Sequence, residues 1–110
     1  MTDRKLMMDR LFTNADRFME ELTRKHGGVF SNLQMLRKVT QDQQQAYIDL
    51  LYSFRDTPNR SPFNAAHQEI GRRIARVAEQ AGYIHDETRD QMGQDVFDNP
   101  TLEKFYRRPD

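Results

Sequence analysis

Residues 61–84, SPFNAAHQEIGRRIARVAEQAGYI, decide how this chain is read. At about 100° per residue, Phe63, Ala66, Ile70, Ile74, Val77 and Ala81 share roughly 80° of arc, which is the signature of an amphipathic helix. Ser61 then Pro62 supplies a cap and a first helical residue whose missing N–H costs nothing. Gly82 ends the run, with Tyr83 placed to fold back toward Ala78. The spacing predicts a helix over 62–81. Arg72 and Arg76 lie opposite the apolar arc. Arg73 sits at its border, where its stem can cover core while its head stays wet. Glu69 precedes Arg73 by four residues and Arg76 precedes Glu79 by three, so the face carries paired charge of both signs.

A helix-turn-helix needs a small residue in its first helix, a glycine in the turn and apolar anchors in the second helix. Ala78 and Gly82 meet the first two needs. The following residues, DETRDQMGQ, offer Thr88 and Gln91 where anchors belong and carry Asp86, Glu87 and Asp90, with Asp95 just beyond. Phosphate would repel such a recognition helix. One further side of the segment is unusual: His67, Gly71, Ala75 and Ala78 form a strip of mostly small residues. Gly71 costs a helix up to ~1 kcal/mol relative to alanine, and a closely packed neighbour, the first helix or another protein, would explain it.

Working outward, Met8, Leu11, Ala15, Phe18 and Leu22 step by threes and fours, flanked by Met7, Phe12 and Met19. This predicts one long helix over about 3–26, capped by Thr2 and ended at Gly27-Gly28. Its stripe is also the face through which a homodimer would form. Residues 29–39 read as a short helix, because a lone strand would have no partner. Thr40 and Gln43 match a capping box for a helix over 41–55 that turns Tyr47, Leu50, Leu51 and Phe54 inward and stops before Pro58. A helix is read over 86–95, and Asn99-Pro100 repeats the cap-and-proline start for a last turn.

The fold expected is therefore all-α: a compact single-domain bundle of four to six helices over residues 1–110, framed by helices near 3–26, 41–55 and 62–81. Residues 98–110 form a docked or mobile C-terminal segment in this reading.

The 110 residues hold 17 basic and 17 acidic side chains, so no bulk charge draws the chain to nucleic acid or an anionic membrane. No cysteine is present, which excludes disulfides, zinc–cysteine sites and thiol nucleophiles. No run approaches the roughly 20 apolar residues that span a bilayer, and the charged start MTDRKLMMDRLF is no signal peptide. A cytoplasmic protein is expected. His26, His67 and His85 fall in no metal-ligand pattern, and no phosphate loop or nucleophile turn appears. Neither metal, cofactor nor catalytic residue is assigned.

Aromatics and arginines in excess of the core's needs are Tyr52, Phe105, Tyr106, Arg107 and Arg108, a composition found at interface hot spots. The function expected is a non-enzymatic protein–protein interaction module: an adaptor, regulator or inhibitor. The alternatives are nucleic-acid binding through Arg72, Arg73 and Arg76, or a structural homo-oligomer subunit.

Overall fold

The structure, a computed structural model, describes residues 3–58, 61–95 and 98–109. It is a mixed fold of helices and two antiparallel sheets, and not the all-α bundle that the periodicity suggests. Helices α1 (Arg4–Leu11), α2 (Ala15–Lys25), α3 (Asn32–Asp42), α4 (Gln44–Ser53) and α5 (Pro62–Gln80) pack around one core. Strand β1 (Val29–Ser31) lies between α2 and α3. After α5 come β2 (Ile84–His85), a 3-10 turn at Glu87–Arg89, and β3 (Gln91–Gln94), β4 (Pro100–Glu103) and β5 (Phe105–Arg107).

The segment 62–81 forms α5. Ser61 Oγ accepts the Asn64 N–H, and Pro62 opens the first turn. At the other end the Tyr83 and Gly82 amides donate to the Ala78 and Glu79 carbonyls, a closure that needs the left-handed φ of 89° at Gly82. Ala66, Ile70, Ile74 and Ala78 are buried, and Arg72 and Arg76 face water.

The helix read over 3–26 is two helices. Its apolar face is too wide for one straight rod to bury against one neighbour. A turn at residues 12–14 divides it, so that α1 packs on α4 while α2 packs on α3. Thr13 marks the break by bonding its hydroxyl back to the Asp9 carbonyl, a competitor of the helix ladder. Thr2 lies outside the described residues; Asp3 caps α1, accepting from the Lys5 and Leu6 amides.

The expected capping box at Thr40 is also displaced. Thr40 sits inside α3 and bonds back to the Leu36 carbonyl. Ser31 and Gln34 form the box instead, at the start of α3. The helix expected over 41–55 begins at Gln44 after a shared cap at Gln43 and ends at Ser53.

The larger correction lies in the tail. The helix expected over 86–95 is the 3-10 turn and β3, and Asn99-Pro100 leads into β4, not a helix. Strand β5 is the middle of a three-stranded sheet, paired with both β1 and β2, with Phe30 and His85 opposite Tyr106. The partner that a strand at residues 29–31 needs thus arrives only at residues 105–107. Tyr106 is buried and stacks on Phe30 at 5.5 Å, and Tyr83 meets Phe30 edge-on at 5.1 Å.

Strands β3 and β4 form a separate hairpin fastened to the start of α3. The Lys104 N–H donates to Asn32 Oδ1, the Asn32 N–H donates to the Lys104 carbonyl, and Ser31 Oγ donates to Glu103 Oε2 at 2.5 Å. The hairpin lies so close to α3 that a Cβ on Gly93 would come within 2.9 Å of Leu33 Cδ1.

The Tyr106→Ala variant removes a buried ring from the middle strand. It should lose about 3 kcal/mol in a urea melt. A loss below about 1 kcal/mol would place β5 outside the cooperative unit.

Candidate functional site

The eight residues picked from the sequence do not form one site. Tyr106 belongs to the core. Phe105 is half-buried, and its N–H donates to Asp90 Oδ1. Arg107 lies in the paired strand, opposite Val29 and Ile84. Arg108 donates to the Thr23 hydroxyl at 2.8 and 3.2 Å and its amide to the Gly28 carbonyl, tying the tail to the end of α2.

On α5, Glu69 pairs with Arg72 at 2.6 Å, not with Arg73. Arg73 crosses to Asp9 of α1 and covers the Phe12 ring. Arg76 is exposed. Two of the three arginines therefore already hold a carboxylate.

Tyr52 is different. It is 59% exposed on α4, and the Arg55 guanidinium stands 4.1 Å above its ring. Ile48, one turn earlier, is 57% exposed. Sequence reasoning overlooked Ile48, although its i,i+4 spacing from Tyr52, off the inward stripe, was there to be read. Together they give α4 an apolar outward face with a cation–π pair at its end.

A second feature emerges only in three dimensions. A cleft of about 470 Å³ lies between α3, α5 and the hairpin, and a recess of about 280 Å³ adjoins it. Leu33, Leu36, His67 and Asp95 line both. From α5 come Asn64, His67, Gln68 and Gly71, which follow i, i+3, i+4, i+7 and so share one face. Asn99 and Thr101 of the hairpin close the far side. The strip noticed at His67 and Gly71 thus borders open space at its glycine. A Cβ on Gly71 would meet nothing within 4 Å, so no neighbouring helix explains that residue.

His67 is the polar centre of this wall. Its Nε2 lies 2.6 Å from the Tyr47 hydroxyl, and the Phe63 ring lies tilted against it with centroids 3.8 Å apart. Burial pushes the imidazole below its ordinary value, partly countered by the negative charge of Asp95. Burial likewise pushes the Tyr47 phenol up. Both groups are neutral at pH 7. One hydrogen bond thus joins the phenol to Nε2 of the ring. His85 is engaged elsewhere. Paired with Asp90 at 2.8 Å, it braces the 3-10 turn against β5.

Among the described residues no helix is long and apolar enough to cross a membrane. Comparison with family models, with curated proteins and with solved structures found no match.

Two outcomes are expected. A histidine with a lowered folded-state pKa leaves the unfolded chain binding more protons in the window beneath the ordinary value of 6.5. Its stabilising contribution is complete above that value and drains as pH falls through the folded pKa. His67→Gln should flatten the fall in Tm between about pH 7.5 and 5; an unchanged slope would remove His67 as its source. Gly71→Ala should raise stability by up to ~1 kcal/mol, since the helix gains and nothing is struck. A lower Tm would contradict the open space seen there.

Proposed function

We propose that the protein is a non-enzymatic protein-interaction module, an adaptor, regulator or inhibitor acting in the cytoplasm, that docks its partner on the outward face of α4. The observation that carries this reading is the Ile48–Tyr52–Arg55 surface. A folded chain gains little by leaving an isoleucine and a tyrosine more than half exposed one turn apart. An interface gains a great deal, because a rigid aromatic flanked by arginine is what concentrates binding energy. The stacked guanidinium also fixes the ring before any partner arrives.

The nucleic-acid alternative is weakened by the pairing of Arg72 and Arg73 with Glu69 and Asp9, which leaves little net positive field on α5. Dimerisation through the first helix is weakened too, because Met8, Leu11, Phe18 and Leu22 are covered by their own chain.

The test is affinity capture from the native host with wild-type protein and with Ile48→Ala and Tyr52→Ala. Both variants should keep the fold, within about 0.5 kcal/mol. A direct partner should bind at least about tenfold more weakly to the tyrosine variant. Its retention should change little as salt is raised, whereas phosphate binding would fall steeply. Equal retention by all three proteins would sink this docking face.

A further inference from the structure

We propose that the Tyr47–His67 hydrogen bond is a proton-operated latch: neutral His67 ties α5 to α4, and protonated His67 leaves Tyr47 for Asp95 at the turn of the hairpin. The bond itself is the first reason. It joins two helices across 20 residues of sequence at 2.6 Å, with the Phe63 ring against the imidazole. A neutral imidazole has one N–H and one lone pair, so the phenol satisfies Nε2 whichever of the two donates. An imidazolium carries a hydrogen on each nitrogen and accepts nothing. The phenol oxygen serves one of those hydrogens at most, and it brings no charge to set against the cation.

The place of His67 is the second reason. It lines both the 470 Å³ cleft and the adjoining 280 Å³ recess, so the ring has open space to turn into without disturbing the core. Among the described residues, the other titratable or charged groups on these two spaces are Tyr47 from α4, Arg37 from α3, and Asp95 and Asp98 from the hairpin turn. On α5 itself the nearby charges, Glu69 and Arg72, hold each other. Of the charged groups that face the ring, Asp95 alone lines both spaces with it. Its position is fixed, because Oδ1 accepts the Asn99 N–H at 2.9 Å and its own N–H donates to the Asn99 carbonyl. A carboxylate has about four acceptor sites, so it takes an imidazolium as well.

The direction of the switch follows from linkage. Burial holds the latched imidazole below its ordinary value of 6.5, whereas a ring turned toward Asp95 is favoured as the cation. The unlatched form therefore binds the proton more tightly. Acidification through the window beneath 6.5 shifts the population toward it. One junction, α5 to α4, is exchanged for another, α5 to the hairpin. Tyr47 packs on the core while Ile48 and Tyr52 face outward, so the latch and the α4 docking face are tested apart.

The test follows the imidazole nitrogens of His67 and the ring signals of Tyr47 by NMR from pH 8 to 4.5, in wild type, Tyr47→Phe and Asp95→Asn. In wild type the Tyr47 signals should move with the midpoint of His67. Tyr47→Phe takes away the partner of the neutral ring and should raise that midpoint by about half a pH unit. Asp95→Asn takes away the partner of the cation and should lower it by about as much. The latch is overturned if either folded variant leaves the midpoint in place or moves it the other way. It is equally overturned if Tyr47 is silent while His67 titrates, or if the ring stays neutral until the protein unfolds. Those last two outcomes need only the wild type, so they decide the matter even where a variant does not fold.

Discussion

The hydroxyl of Ser31 is the joint on which this structure turns. It is fully buried, it accepts from the Gln34 amide to start α3, and it donates to Glu103 at the end of the hairpin. Its own N–H is held by the Gln34 side chain, and its residue pairs with Phe105. One small side chain thereby couples a strand, a helix cap and a segment 72 residues away. Burying that hydroxyl against the half-buried carboxylate is tolerable because the two are hydrogen-bonded, while Gln91 donates to the other carboxylate oxygen.

This joint also sets the cleft. The hairpin reaches the wall of α5 because Asn32 and Ser31 hold its base against α3 and Gly93 lets it lie close. The cleft is therefore a product of three elements, α3, α5 and the hairpin. The α4 face is the opposite kind of feature, since Ile48 and Tyr52 are neighbours by helical spacing.

That contrast governs what could be read in the residues. Helix α5, its serine cap and its glycine closure follow from local spacing, and they are legible in 61–84. The break at Thr13 is a local competition between a side chain and the backbone, won through packing on two different neighbours, α3 and α4. SNLQ and TQDQ both satisfy the capping-box pattern, and only the strand in front of Ser31 decides between them. The strands are two to four residues long, too short for alternation to register against a helical period. The partner of β1 and β2 lies far along the chain, at residues 105–107, where no window finds it. Of the cleft, only the anomalous Gly71 left a trace in the sequence, and it pointed to a neighbour that is not there.

The order β1–β5–β2 places the last-made of these three strands between the two made earlier. While the chain is emerging from the ribosome, Phe30 and Ile84 therefore wait with unsatisfied edges, and the sheet closes only when residues 105–107 are released. Contacts of such long sequence separation close slowly. Without β5 the helices have their core partners, but β1 and β2 each lack the strand that pairs with them.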